Sequence, residues 1–181
     1  MGFSISWLAV RGKAQQDVLS QLRLRETPNR ERLPESEIVA SALSSGWYLV
    51  FYSRDPTSLN VPMLAALSAG AEVICCAVEE HAMVSITEGW KDGIKVWSVS
   101  HDSERGLTDL DATGVLPIAF ASISDGLLAK QNTAGAKSDV DYVFDVPVEL
   151  ARHETGFRHD ADFDEFEVDP FVVLERATPA E

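Results

Sequence analysis

Three β-forming runs between residues 72 and 102 constrain the fold of this chain more than any other part of the sequence. The runs are rich in β-branched and aromatic residues and cover residues 72–79, 82–88 and 94–101. The segment between the last two runs contains Asp92-Gly93, a pair that tolerates the positive φ angles of a hairpin turn. The stretch therefore predicts an antiparallel meander, which is a scaffold and does not specify a reaction.

The first 70 residues predict two βα units before the meander. Alternating apolar residues over 3–10 indicate a strand, and apolar residues at helical spacing over 13–24 indicate a helix. Aromatic and β-branched residues over 47–52 indicate another strand. A helix follows, with Ser58 or Asn60 as its N-cap and Gly70 as its C-terminal stop.

Two segments of this region are less regular. Residues 38–43 fit either a short strand or a helical turn, and we favour the strand because a Ser-Ser-Gly turn connects it to the next strand. The polar residues 25–37 contain Pro28 and Pro34 and are predicted to form a loop. The resulting order is β-α-β-β-α-β-β-β, which resembles the ferredoxin-like βαββαβ arrangement with additional strands. The resemblance is one of topology and implies no activity.

The last third of the chain changes in composition. An apolar stripe over residues 116–127 predicts a helix, and Asp145 can cap a second helix that ends near Gly156. Residues 154–181 are strongly acidic and are predicted to form a partly irregular C-terminal extension. We therefore expect a single α+β domain over residues 1–181, with a mostly antiparallel sheet and helices packed on it.

The charge of the chain excludes several classes of partner. The sequence of 181 residues has 15 basic and 29 acidic side chains, a formal net charge of −14. Nucleic-acid binding requires clustered lysine and arginine, and anionic membranes repel an acidic surface. No run approaches the roughly 20 apolar residues of a membrane span. The composition thus predicts no nucleic-acid or membrane partner and is compatible with a basic protein.

The acidic side chains are unevenly distributed along the chain. Residues 1–32 have a net charge of +3, whereas residues 149–181 have a net charge of −7. This asymmetry allows the two ends to pair with each other or an acidic arm to contact a partner. The two cysteines, Cys75 and Cys76, are adjacent in a predicted strand and have apolar neighbours, so we expect buried thiols and a cytoplasmic location.

Familiar catalytic signatures are absent from the sequence. There is no GxGxxG, GxxxxGK[ST], HExxH, GxSxG or CxxC motif. This disfavours a nucleotide-dependent enzyme, a zincin or a serine hydrolase, and it predicts no cofactor. The EF-hand-like start at residues 160–165 departs from the calcium-binding pattern because Glu165 replaces the turn glycine. No metal site is therefore predicted there.

The meander nevertheless brings titratable residues to one sheet edge. Its first and third strands run parallel, so Glu80 and His81 should end beside His101 and Asp102, roughly 10 Å apart. An imidazole with a carboxylate can act as a general base or ligate a metal. The opposing interpretation is that polar residues at strand ends form solvated turns.

Other residues are candidates for partner contact. Trp90 is expected at a hairpin tip, where a tryptophan is hard to bury and can form an interface hot spot, unless it folds back on its own strand. The acidic candidates are Asp160, Asp162, Asp164 and Glu165. The sequence favours a non-catalytic protein-binding module, such as an inhibitor or immunity-type partner of a basic protein. The alternative is a small-molecule- or metal-binding domain or enzyme at the His/carboxylate edge. The sequence does not specify an oligomeric state.

Overall fold

One antiparallel sheet with helices on both sides organises the computed structural model, which describes residues 2–54, 59–135, 138–161 and 169–177. Its nine described strands are β1 (Ser4–Arg11), β2 (Leu24–Glu31), β3 (Ile38–Ala42), β4 (Tyr48–Ser53), β5 (Glu72–Glu79), β6 (Val84–Lys91), β7 (Ile94–Asp102), β8 (Asp111–Gly114) and β9 (Phe171–Arg176). Its four described helices are α1 (Gln15–Leu22), α2 (Val61–Ser68), α3 (Ala119–Ala134) and α4 (Asp145–Thr155). The predicted α+β class and antiparallel sheet are confirmed.

The strands lie side by side in the order β2-β9-β3-β4-β1-β5-β6-β7-β8. At the centre, Trp7 of β1 is opposite Phe51 of β4 and Cys76 of β5. Helices cover both faces of these central strands, so consecutive residues of β1 are buried although successive side chains point to opposite faces.

Two hydrophobic clusters separate the two sides of the sheet. The α4 side contains Trp7, Leu49 and the α4 residues Val146 and Leu150. The α2 side contains side chains of α1 and α2, together with alternate residues of the same strands, among them Leu8 and Val50.

The meander is confirmed as β5, β6 and β7, which pair antiparallel. Asp92 and Gly93 have φ angles of 50° and 81° and form the turn between β6 and β7, because both residue types tolerate the left-handed region. The preference for a strand at residues 38–43 is also confirmed by β3. Asn60 caps α2, with its Oδ1 accepting a hydrogen bond from the amide of Met63 at 3.1 Å.

The loop predicted for residues 25–37 is wrong over most of its length. Leu24–Glu31 forms the edge strand β2, which contains Pro28 and pairs with β9 across an irregularity between Glu26 and Arg30. An edge strand with a bulge accommodates a proline, because only one side of the strand needs backbone hydrogen bonds. The observed element order therefore contains one strand that was not predicted, β2, between α1 and β3.

The predicted acidic extension is not confirmed. The strand β9 lies inside the sheet between β2 and β3, and its Phe171 and Leu174 are buried. The basic N-terminal part and the acidic C-terminal part meet here, since Arg25 forms an ion pair with Glu175 at 2.8 Å. Residues 162–168 lie outside the described residues. The ferredoxin-like order stays a prediction.

Candidate functional site

The predicted sheet edge exists, because the ends of β5 and β7 lie on either side of β6. Glu79 is opposite Val84, and Val84 is in turn opposite Asp102. The strand register thus places the ends of the first and third meander strands at one edge, as the sequence predicted. The side chains proposed for catalysis, however, do not point to a common space.

His101 is fully buried on the α4 side. Its Nδ1 lies 2.6 Å from the carbonyl oxygen of Asp109, and its Nε2 lies 2.8 Å from Oδ2 of Asp141. Oδ1 of Asp141 accepts hydrogen bonds from the amides of Val143 and Phe144 at the start of α4. The imidazole therefore connects β7 to α4 and has no access to a substrate at the sheet edge.

His81 and Glu80 lie in the exposed turn after β5. His81 Nδ1 is 3.0 Å from Oε1 of Glu79, and Oε2 of Glu80 accepts a hydrogen bond from the amide of Phe3 at 2.8 Å. Hydrogen bonds from Ser4 and His81 lower the pKa of the Glu79 carboxyl. The side chains of His81 and Glu80 thus contact different partners, and both are separate from the buried His101.

The cysteines are buried thiols, as predicted. Both are free, and burial is the main cause that raises the pKa of each thiol, that of Cys76 to about 12. A raised pKa keeps a thiol protonated and therefore a poor nucleophile. Across residues 2–54, 59–135, 138–161 and 169–177, no group of three or more His, Cys, Asp and Glu side chains is arranged to hold a metal ion.

Trp90 is not at the hairpin tip. The two-residue turn lets β6 continue to Lys91, so Trp90 lies within the strand on the α2 side and is only 5% exposed. Its Nε1 donates a hydrogen bond to Glu88 at 3.0 Å, and the ammonium of Lys95 lies 5.7 Å from the ring centroid. Partner contact through Trp90 stays a prediction that its burial does not favour.

Asp160 is engaged within the chain. It accepts hydrogen bonds from Arg158 at 2.6 and 3.2 Å, and Arg158 also contacts Asp145 and Glu149. Burial opposes ionisation of Asp160, but the contacts with Arg158 outweigh it and lower the pKa of the carboxyl. The other acidic candidates, Asp162, Asp164 and Glu165, lie outside the described residues.

The structure reveals a surface that the sequence reasoning missed, which we call the open face. It is the part of the α2 side formed by the end of β5 with β6, β7 and β8. Cross-strand pairing places its members in three rows: Glu79-Val84-Asp102, Ala77-Ile86-Ser100-Asp111 and Glu88-Ser98-Thr113. All ten side chains are partly or fully exposed. α2 covers the other end of these strands, where the amide of Gly93 donates to Ser68 Oγ at 3.2 Å.

Strand β6 has an inverted polarity pattern at the open face. Its apolar side chains Val84 and Ile86 are partly exposed, whereas its polar side chains Ser85 and Thr87 are 0% exposed on the α4 side. Ser85 Oγ donates a hydrogen bond to the carbonyl oxygen of Phe144 at 2.7 Å, which compensates its burial. In an ordinary half-solvated strand the apolar side chains would face the interior. The alternation is visible in the sequence, but only the topology shows which set is exposed.

Charged and hydroxyl groups surround this apolar centre. Glu79 and Asp102 lie at one end, Asp111 lies beside the middle row on the edge strand β8, and Glu88 lies at the other end, where it pairs with Lys95 at 2.9 Å. Four neighbouring strands span about 14 Å at the usual strand spacing. The open face therefore combines an apolar strip with an acidic rim.

Comparison of the chain with protein-family models, with curated proteins and with solved structures finds no match. None of the helices in the described parts of the chain is both long enough and apolar enough to span a lipid bilayer.

Proposed function

We propose that the chain is a non-catalytic protein-binding module whose open face contacts a basic protein, as an inhibitor or immunity-type partner would. The observation that carries the proposal is the inverted pattern of β6, which leaves Val84 and Ile86 partly exposed while Ser85 and Thr87 are buried. Exposed apolar residues surrounded by polar groups are typical of interaction surfaces.

The charge of the open face supports a basic partner. Glu79, Asp102 and Asp111 lie around the apolar strip, and the net charge of −14 attracts cationic surfaces over a longer range. Opposite charges at the rim of an interface accelerate association and select partners. The acidic residues Asp162, Asp164 and Glu165 are proposed from the sequence as additional contacts.

The test is affinity capture from a lysate of the source organism with matched charge variants. The open-face variant combines Asp102→Asn with Asp111→Asn, and the control combines Asp17→Asn with Asp125→Asn on α1 and α3. Both pairs remove two charges from surface positions. We expect the wild type and the control to retain a stoichiometric basic protein that high salt releases, and the open-face variant to retain markedly less.

A second variant tests the apolar strip. Ile86→Lys places a cation at the centre of the open face, and because the position is partly exposed, the fold should persist. Binding of the purified captured protein, measured by calorimetry, should be lost. Equal affinity for the wild type and Ile86→Lys would contradict the proposal. A variant with Asp162→Asn, Asp164→Asn and Glu165→Gln reports separately on the acidic segment.

Three further features are proposed with this function. A ferredoxin-like core is supported by the neighbours β3-β4-β1-β5 and by the packing of α1 and α2 on one side. A single domain over residues 1–181 is supported by the position of β9 in the same sheet as β1. A cytoplasmic location is supported by the free thiols of Cys75 and Cys76.

A further inference from the structure

A recess, which we call the tryptophan cleft, lies on the α4 side at the turn end of the β6–β7 hairpin. It has a volume of about 220 Å³, and its lining includes Arg11, Trp47, Glu72, Lys91, Trp97 and Glu154. Cavities for drug-sized ligands usually measure roughly 300–1,000 Å³, so this cleft suits a smaller molecule. It is separate from the open face, which belongs to the other side of the sheet.

Two indole rings form walls of the cleft. The ring of Trp97 lies against the backbone at Gly89, where an added Cβ would be 2.1 Å from Trp97 Nε1. The ring of Trp47 already carries a cation, because Cζ of Arg11 lies 4.3 Å from its centroid. The negative electrostatic potential at an indole face attracts guanidinium and alkylammonium groups. The contact between Arg11 and Trp47 shows that this cleft accommodates such an interaction.

The charged groups at the cleft are arranged in two sets. Nε of Arg11 and Nζ of Lys91 each donate a hydrogen bond of 3.0 Å to a carboxylate oxygen of Glu72. These two cations therefore share one anion. Glu154 lies at the cleft on α4, its side chain is 29% exposed, and its carboxylate is 3.3 Å from Nδ1 of the adjacent His153. The partly exposed carboxylate of Glu154 can therefore be reached by a cation that enters the cleft.

We propose that the tryptophan cleft binds a small organic cation, with its alkylammonium or guanidinium group against Trp97 and the carboxylate of Glu154. The indole supplies the cation–π contact, and Glu154 supplies the counter-charge. Arg11 keeps its place on Trp47, since Glu72 fixes its guanidinium. The proposal does not depend on the function of the open face.

Choline and its uncharged analogue 3,3-dimethylbutan-1-ol test the requirement for charge. The two probes have nearly the same shape. Choline has a positively charged quaternary nitrogen where the analogue has a neutral quaternary carbon. Because Trp47 and Trp97 line the cleft, each probe is titrated while the intrinsic tryptophan fluorescence is recorded. We expect a saturable change with choline and binding at least about tenfold weaker with the neutral analogue.

Two carboxylate variants locate the binding site. Glu154→Gln should weaken choline binding about tenfold, whereas Asp125→Asn, which removes an equal charge from the exposed surface of α3, should leave it unchanged. No saturable signal with choline would overturn the proposal. So would equal affinity for the two probes, or wild-type affinity in Glu154→Gln.

Discussion

The buried contact between His101 and Asp141 leads to a prediction about stability. The side chains are 0% and 5% exposed, and both ring nitrogens of His101 face oxygen acceptors. Asp141 is fixed in place because its other oxygen accepts the amides of Val143 and Phe144. The carboxylate cannot turn towards solvent without leaving these amides at the start of α4 unpaired.

Substitutions of His101 and of Asp141 should lower the free energy of unfolding by different amounts. His101→Leu removes the imidazole and leaves the buried carboxylate of Asp141 without its partner, so we expect a loss of about 3–5 kcal/mol in the free energy of unfolding. Asp141→Asn keeps an oxygen for the two amides, and its NH₂ group can donate to Nε2 of a neutral imidazole. We expect it to cost about 1 kcal/mol, the net worth of an ordinary hydrogen bond.

Urea denaturation followed by fluorescence and circular dichroism measures both effects, provided that the m-value is unchanged. His81→Leu is the matched control, because it makes the same substitution at a histidine whose side chain is 69% exposed, and its urea midpoint should equal that of the wild type. If His101→Leu cost no more than Asp141→Asn, the carboxylate would not depend on the imidazole, and the reasoning would be refuted.

Other expectations concern pH and the backbone at the tryptophan cleft. Burial lowers the pKa of His159, so the unfolded chain takes up a proton first as the pH falls below about 6.5, and stability should decrease there. His159→Gln should flatten this part of the stability–pH curve, and an unchanged slope would contradict the assignment. Gly89→Ala should cost about 1–3 kcal/mol and change the fluorescence of Trp97, because the new Cβ would overlap its ring. Gly126→Ala in α3 meets nothing within 4 Å and should stabilise by up to about 1 kcal/mol, so a loss comparable to that of Gly89→Ala would contradict the steric explanation.

Local patterns in the sequence predicted much of the sheet. The Asp92-Gly93 turn, the meander and the Asn60 cap depend on neighbouring residues, and the structure confirms all three. The strand β2 was missed because Pro28 and its charged neighbours are typical of a loop. Its pairing with β9 joins segments about 150 residues apart, a relation that propensity does not encode.

The candidate site was predicted less completely for a similar reason. The sequence placed His101 at the correct sheet edge, and the alternation of Trp97, Val99 and His101 could have indicated that its ring lies on the buried face. Its partner Asp141 is distant in sequence and carries no motif. The alternation in β6 does not show whether its apolar or its polar side chains face the helices. Only the position of α4 shows that Ser85 and Thr87 are on the buried side.

The central claim is that the open face binds a basic protein, and methyl NMR tests it most directly. Spectra of the protein with labelled valine and isoleucine methyl groups are recorded before and after addition of the purified captured partner. The account predicts that the signals of Val84 and Ile86 shift, while those of the buried Val143 and Val146 on the α4 side do not. Shifts confined to residues outside the open face, with Val84 and Ile86 unchanged in the saturated complex, would contradict it.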